Sequence, residues 1–195
     1  MFRYFNIILI LILVITNSLY AQKDIINQAE KYISKNFDEL LFVSIHNQKL
    51  YHIKNKKIIN IFVISSSKYG IGNIKDSNKT PLGLHKVKEK HGKETPINGK
   101  MIGRIFHGEI ATIYKDTTKS ITDDITSRIL WLEGIEIGKN KGENIDSYRR
   151  HIYIHGTSEE GRLGTPASHG CIRMKNKDVI DLYKIIEVGT LVLIL

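Results

Sequence analysis

The sequence predicts one mainly β domain with a few short helices. After position 40, short runs of alternating apolar and polar residues follow one another, which is the period of half-buried strands. Turn-forming segments rich in Gly, Asn and Ser separate these runs, and helical spacing is found only in short stretches. With 195 residues and 42% hydrophobic residues, the chain is long enough to bury a sizeable core.

The first segment, residues 1–21, has the pattern of a secretory signal. Arg3 precedes an apolar run from Ile7 to Ile15, and a polar stretch then leads to Ala21. This run is too short to span a bilayer, so we expect cleavage after Ala21 and no stable membrane insertion afterwards. The sequence therefore predicts an exported protein of the periplasm or cell envelope.

The remaining elements are predicted from spacing and turn signals. Residues 22–39 form an N-terminal helical segment, in which apolar residues recur at helical intervals, and the main domain spans residues 40–195. Within this domain an antiparallel meander comes first, and Gly189 ends the last helix. The predicted elements are strands at Leu41–His46, Leu50–Ile53, Ile58–Ser65, Gly83–Lys88, Glu109–Tyr114, His151–His155 and Thr190–Ile194, a helix or 3₁₀ turn near Asp124–Leu132, and a helix at Asp178–Ile186.

The excess of basic residues indicates which kinds of partner the protein could bind. The net charge is +9, which suits a polyanion such as nucleic acid, anionic lipid or a carboxylate-rich cell wall. Export disfavours nucleic acid, and the lysines are scattered with no basic tail and no aromatic-glycine signature of an RNA-binding sheet. We therefore expect no nucleic-acid partner.

The chemistry of the chain is concentrated around Cys171, its only cysteine. A free thiol with a pKa of about 8.5 is only a few per cent ionised at neutral pH, so a nucleophilic cysteine needs a base beside it. His155 and His169 are close in sequence, and His155 is expected at the exposed end of a strand, where Gly156 lets the chain turn. A buried cysteine acting as a small hydrophobe is the alternative, but the polar and glycyl neighbours favour a reactive thiol.

A zinc site is the main alternative chemistry. His155, His169 and Cys171 are legitimate zinc ligands. However, the segment has no Cys-x-x-Cys pair and no suitably placed carboxylate, and Ile152 stands where the metalloprotease pattern needs a glutamate after His151. The sequence therefore predicts no metal and no cofactor.

Two motifs resemble a known family. Residues 168–174 read Ser-His-Gly-Cys-Ile-Arg-Met and follow His-Gly-Thr at 155–157, which closely resembles the active-site signature of the L,D-transpeptidase (YkuD) catalytic domain. Residues 80–83, Thr-Pro-Leu-Gly, are similar to the family's Thr-Pro-x-Gly segment. The resemblance covers roughly residues 40–195 and implies a mixed-sheet β-sandwich of the L,D-transpeptidase type. Many members of the family carry Asn at the second position after the cysteine, whereas this chain has Arg173 there.

The resemblance implies a cysteine acyltransferase that acts on peptidoglycan stem peptides through a thioester. Cys171 would be the nucleophile, and His155 would accept and return its proton. The Gly156 carbonyl would orient the imidazole, and the backbone amides of Gly170 and Cys171 would form the oxyanion hole. An L,D-carboxypeptidase or cross-link hydrolase of the same chemistry is the alternative, and a non-catalytic wall-binding domain is a further one.

Three more residues are predicted to contact substrate. His169 is expected in the site, where it would tune the thiolate, touch substrate or merely pack. Arg173 matches a substrate carboxylate bidentately, with an ordinary surface arginine as the alternative. Ser168 is assigned to the same site and is expected to order the turn by a local hydrogen bond.

Overall fold

The structure, a computed structural model, describes residues 22–33 and 37–195. The predicted signal, residues 1–21, lies outside these residues, and the first described element is a helix, α1, over 22–33. None of the helices in the described ranges is long and apolar enough to cross a membrane. The other elements are β1 (Glu39–Ser44), β2 (Lys49–Lys54), β3 (Lys57–Ser65), β4 (Gly83–His91), β5 (Gly99–Ile102), β6 (Ile105–Ile110), β7 (Thr126–Gly134), β8 (Tyr153–Gly156), β9 (Ile172–Met174), α2 (Asn176–Ile185) and β10 (Leu191–Ile194), with 3₁₀ turns at Glu143–Ile145 and Glu160–Arg162.

The strands form one mixed sheet that closes on itself. Its order is β4-β10-β1-β2-β3-β9-β8-β7-β5-β6, and an additional pairing between β4 and β7 completes a ring. The pairs β1–β10 and β8–β9 are parallel, whereas the other pairs are antiparallel. The prediction of a mainly β domain is confirmed, and the closed sheet has the form of a barrel-like sandwich.

The two faces of β1 are both buried, which explains its apolar sequence. Leu41 and Val43 point into the main core, which α2 covers with Val179 and Leu182. Since successive side chains of a strand point to opposite faces, Leu40 and Phe42 lie on the other side. There they pack against α1, which contributes Ile25 and Ala29. The N-terminal helix is therefore part of the packed domain.

The predicted helix or 3₁₀ turn near Asp124–Leu132 is wrong, because residues 126–132 of this segment belong to β7. Residues 129–132 are Ile-Leu-Trp-Leu, and all four are buried. Such a continuous apolar run is typical of a strand covered on both faces, and periodicity alone does not separate it from a helix. β7 pairs with β4 on one side and β8 on the other, so it is a central strand.

The predicted strand at Glu109–Tyr114 overlaps the observed β6 at only two positions, since β6 is Ile105–Ile110. β5 and β6 form a hairpin whose turn is Gly103-Arg104. Both turn residues have positive φ, 55° and 71°, as in the type I′ turns that fit the twist of a hairpin. A Gly-Arg pair is a weaker turn signal than Asn-Gly, so the sequence pattern missed it.

The parallel pair β8–β9 brings the predicted catalytic residues together. Ile154 is paired with Ile172, and His155 with Arg173. Cys171 directly precedes β9. Because side chains two apart on a strand share a face, Cys171 and Arg173 point to the same side of the sheet. His155 lies level with Arg173 on this side, diagonally across from Cys171.

Candidate active site

The thiol of Cys171 lies against the backbone that leads into β8. It donates a hydrogen bond to the carbonyl of His151, with a sulfur–oxygen distance of 3.3 Å. The backbone amide of Tyr153 in turn donates to Sγ at 3.4 Å. Burial raises the pKa of the Cys171 thiol to about 12, against the lowering effects of the Tyr153 amide and of nearby arginines. In the resting state the thiol is therefore protonated.

The imidazole of His155 is held by the residue that follows it. Its Nδ1 lies 2.6 Å from the carbonyl oxygen of Gly156, so Nδ1 donates and Nε2 is left with the free lone pair. Gly156 has no room for a side chain, because a Cβ there would lie 2.6 Å from Oδ1 of Asn176 and 2.7 Å from the carbonyl oxygen of Thr126. This close packing fixes the carbonyl that orients the ring.

The expectation that His155 has an exposed position is wrong, since only 1% of the residue is accessible. It lies inside β8 rather than beyond its end, and β8 is paired with β7 on one side and β9 on the other. Burial lowers the pKa of His155, whereas the charge of Asp123 and the bond to Gly156 oppose this effect. The imidazole is therefore neutral near pH 7, and the resting pair is a thiol and a neutral base.

The turn before Cys171 is closed by Ser168. Its hydroxyl donates to the carbonyl of Cys171 at 2.6 Å and accepts the amide of Gly170 at 3.2 Å. The Gly170 amide, predicted as an oxyanion donor, is thus engaged inside the turn. The Cys171 amide makes no hydrogen bond among the described residues and is the better-placed donor.

Thr80 fixes the peptide that carries this donor. Its side chain is buried, and Oγ1 donates to the carbonyl of Gly170 at 3.0 Å while accepting the amide of Ser67 at 2.9 Å. In a trans peptide the carbonyl and the amide that share the bond point in opposite directions. Thr80 therefore sets the direction in which the Cys171 amide points.

Arg173 is a buried residue, and only 1% of it is accessible. The alternative of an ordinary surface arginine is therefore wrong. Its Nη1 lies 2.8 Å from Oε2 of Glu159, and its Nη2 lies 2.5 Å from Oδ1 of Asp123. Two protein carboxylates thus already neutralise the guanidinium, and a substrate carboxylate would have to displace one of them.

Asp123 links this ion pair to the turn. Its Oδ2 accepts the backbone amide of His169 at 3.0 Å and lies 2.8 Å from the ring Nδ1 of the same residue. Although burial by itself raises the pKa of Asp123, the charges of Arg173, His155 and His169 hold it below its usual range. The carboxylate is therefore ionised, and it carries a negative charge close to the candidate base.

One side of the thiol is an aromatic wall. Cys171 packs against a cluster that includes Met101, Trp131 and Tyr153. The rings of Trp131 and Tyr153 meet edge to face, with their centroids 5.5 Å apart. Arg104 is at the tip of the β5–β6 hairpin, and its guanidinium lies 4.5 Å from the centroid of the Trp131 ring. Nη1 of Arg104 also lies 3.3 Å from the Tyr153 hydroxyl. The hairpin therefore reaches over the site.

The functional surroundings that the sequence did not indicate are Asp123, Glu159 and Thr80. Asp123 is far from the cysteine motif in sequence, and no spacing rule connects it to Arg173. Thr80 belongs to the recognised Thr-Pro-x-Gly segment, but its contact with Gly170 depends on the fold. No group of three or more His, Cys, Asp or Glu side chains is arranged to hold a metal ion in the described residues.

A cysteine beside a backbone-oriented histidine, on a closed mainly β sheet, defines a cysteine-nucleophile domain of the acyl-transfer type. A sequence profile for the L,D-transpeptidase catalytic domain, YkuD, matches residues 38–194. The chain belongs to this family, which confirms the resemblance of its motifs.

Two relatives of this chain also have names that assign them to the L,D-transpeptidases. The Bacillus subtilis protein YkuD, named as an L,D-transpeptidase, is 33% identical over 98 residues, which are 39% of this chain and 60% of the relative. YqjB of the same organism, also named as an L,D-transpeptidase, is 54% identical over 41 residues, 21% of this chain and 23% of the relative. The matched part of this chain thus spans less than two thirds of either relative.

Solved structures show a similar fold. An L,D-transpeptidase from Xylanimonas cellulosilytica superposes with a TM-score of 0.50 at 18% identity, over 83% of this chain and 62% of that chain. A mutant L,D-transpeptidase from Enterococcus faecium also gives a TM-score of 0.50, at 17% identity, over 82% of this chain and 50% of that chain.

Proposed function

We propose that this protein is an L,D-transpeptidase that joins peptidoglycan stem peptides through a cysteine thioester. The observation that supports this most directly is the Cys171 thiol across a parallel strand pair from His155, whose Nδ1 is held 2.6 Å from the Gly156 carbonyl. Membership of the L,D-transpeptidase family points to the same chemistry.

The first half-reaction acylates the enzyme. Sγ of Cys171 attacks the carbonyl carbon of the third stem residue, and the thiol proton passes to Nε2 of His155. Because both groups are neutral at rest, this transfer accompanies the attack rather than preceding it. The Cys171 amide donates to the oxyanion, the carbon–nitrogen bond to the terminal D-alanine then breaks, and His155 returns the proton to the departing amine.

The second half-reaction returns the free enzyme. An acceptor amine attacks the thioester carbonyl, and His155 takes the proton that the amine loses. The carbon–sulfur bond then breaks, and the thiol recovers a proton from His155. If the acceptor is the side-chain amine of another stem, the product is a 3→3 cross-link; if it is water, the enzyme is a carboxypeptidase.

The other predicted residues support these steps without touching the reacting atoms. Gly156 orients the base, Ser168 closes the turn before the nucleophile, and Gly170 supplies the carbonyl that Thr80 holds. Arg173 and His169 act through Asp123, which places a negative charge where the His155 imidazolium develops. We assign all of them as positioning residues.

The substrate also fits the predicted compartment. Peptidoglycan lies outside the cytoplasmic membrane, and residues 1–21 have the pattern of a secretory signal. A net charge of +9 favours a carboxylate-rich polymer. We therefore propose that the protein acts in the periplasm or cell envelope, without a cofactor and without nucleic acid.

The test is to incubate the purified protein with a disaccharide-tetrapeptide and to identify the products by mass spectrometry. We expect a dimer joined through the third residues and free D-alanine. Adding a free D-amino acid should also yield an exchanged tetrapeptide. Tripeptide and D-alanine alone, over a wide range of acceptor concentrations, would instead identify an L,D-carboxypeptidase.

Cys171→Ala provides the matched control. A carbapenem, whose strained ring acylates thiolates, should leave one covalent adduct on the wild-type protein, and peptide mapping should place it on Cys171. The alanine variant should form neither the adduct nor any stem product. An adduct of equal yield on this variant would refute the assignment of the nucleophile.

A further inference from the structure

A cleft opens beside the turn that carries Cys171. Its volume is about 240 Å³, and its lining includes His151 and Ile152. The His151 carbonyl accepts the thiol hydrogen bond, so the cleft begins next to the nucleophile. A Cβ placed on Gly170 would lie 3.6 Å from Cδ1 of Ile152, which puts the Gly170–Cys171 peptide at the border of this cleft.

Cations line this cleft more than anions do. Lys75, Arg149 and Arg150 contribute three positive charges, whereas Asp76 contributes one negative charge. In the described part of the chain, none of the three cations forms an ion pair with a carboxylate. The excess charge is therefore available to a ligand.

Arg150 is the partly buried cation of the cleft. Its Nη1 and Nη2 donate to the carbonyls of Gly72 and Lys79 at 3.2 and 2.7 Å. These bonds fix the side chain and leave its full charge in place, because carbonyl oxygens are neutral. The charge of Arg150 also acts on Cys171, which indicates that the two groups are close.

We propose that this cleft is a carboxylate-binding subsite that selects the donor stem. The inference rests on the proposed function, since the carboxylate belongs to a stem peptide held with its scissile carbonyl at Cys171. The volume suits one amino-acid residue rather than a whole stem. Guanidinium and ammonium groups bind carboxylates through charge-assisted hydrogen bonds, and a site partly withdrawn from water strengthens them.

A donor stem has two carboxylates that could bind in this subsite. One is the terminal carboxylate of the D-alanine that leaves, and the other is the side-chain carboxylate of an acidic diamino acid at the third position. Both lie within a residue of the scissile bond. A peptide with a C-terminal carboxamide removes the first, and a peptide amidated on the third side chain removes the second.

The experiment measures binding rather than turnover. Cys171→Ser protein is titrated calorimetrically with the free tetrapeptide and with each of the two amidated peptides. We expect one amidated peptide to bind about 10-fold more weakly or worse than the free tetrapeptide, as loss of a charge-assisted contact predicts, and its identity names the carboxylate. Equal affinities for all three peptides would overturn the inference.

Whether the stem carboxylate binds in this cleft is tested by removing positive charge from the rim of the cleft. Because Arg150 also holds the loop carbonyls, the changes are Lys75→Gln and Arg149→Gln together, in the Cys171→Ser background. The ratio of affinities for the free and amidated peptides should fall towards one. The control, Lys57→Gln with Lys184→Gln, removes the same charge from exposed positions on β3 and α2 and should keep the ratio.

These outcomes separate the subsite from the catalytic proposal. If the rim variant keeps the full preference for the free peptide, the carboxylate binds elsewhere and the subsite is refuted. If the preference is lost in the rim variant but the wild-type protein yields no stem products, the subsite stands and the transpeptidase assignment is refuted. Unfolding midpoints of all variants exclude a general loss of structure.

Discussion

Two arginines act on Cys171 from different surroundings. Arg173 is buried beneath the site, and the carboxylates of Glu159 and Asp123 neutralise it. Arg150 borders the cationic cleft, and its partners are neutral carbonyls. Both lower the pKa of the thiol by their charge, yet burial outweighs them and keeps it high.

The difference indicates what each cation does. A buried charge is tolerated only when protein groups compensate it, so Arg173 is part of the framework that positions the catalytic residues. A cation without an acidic partner at an open cleft keeps its capacity to bind an anion. The family motif drew attention to Arg173 as the substrate ligand, whereas the structure favours Arg150 and its neighbours for that role.

The largest expected effect follows from removing the buried arginine. Arg173→Met should lower the free energy of unfolding by about 3–5 kcal/mol, because the buried carboxylate of Glu159 and the partly buried one of Asp123 lose their counter-charge. Urea denaturation measures this value. Arg149→Met, at the rim of the cleft, is the comparison variant, and an equal loss for the two would contradict the division into framework and binding cations.

The second test concerns the base that this framework supports. His155→Ala should lower the rate of acylation by a carbapenem ~10²-fold or more, the usual loss for a general base. His169→Ala should cost less, because His169 acts only through Asp123. Stopped-flow rates in the opposite order would show that the two histidines have been exchanged.

The pH dependence of the same rate tests the charge state of the base. Since burial lowers the pKa of His155, the imidazole stays neutral below the usual histidine pKa of about 6.5. The acylation rate should therefore hold steady as the pH falls to this value and decline only below it. A decline centred above pH ~7 would mean that His155 is easier to protonate than an exposed histidine.

The substitution Asp123→Asn should shift the pH at which the acylation rate declines. The groups that act on the His155 imidazole are the charges of Asp123 and Arg173 and the Gly156 carbonyl. Removing the negative charge leaves the positive one, so the pKa of His155 falls further and the decline shifts to lower pH. Asp181→Asn, on α2, should leave the profile unchanged; a loss of rate with no shift would indicate a structural role alone.

The smallest expected effect is on the stability of the cleft rim. Lys75→Gln and Arg149→Gln should each change the free energy of unfolding by less than ~0.5 kcal/mol, because neither side chain has an acidic partner in the described residues. A loss above ~1 kcal/mol would mean that these cations stabilise the fold.

The sequence predicted the elements that local patterns determine. Short apolar runs separated by turn residues gave the meander of β1, β2 and β3, and the cysteine motif gave the nucleophile and its family. It did not predict Asp123 and Glu159 beside Arg173, because these contacts form only when distant segments are folded together. It assigned a helix or 3₁₀ turn to most of β7, because the apolar run of a strand buried on both faces is not separated from a buried helix by periodicity alone.

The pairing of β4 with β7 has a consequence for local opening. An open sheet frays from its edge strands, but β8 and β9 lie inside the closed ring, paired on both sides. Their amide hydrogens should therefore exchange with solvent almost only when the whole domain opens, whereas those of the β5–β6 hairpin should exchange through small fluctuations. We therefore expect the nucleophile and its base to keep a fixed spacing while the hairpin above them adjusts to each arriving peptide.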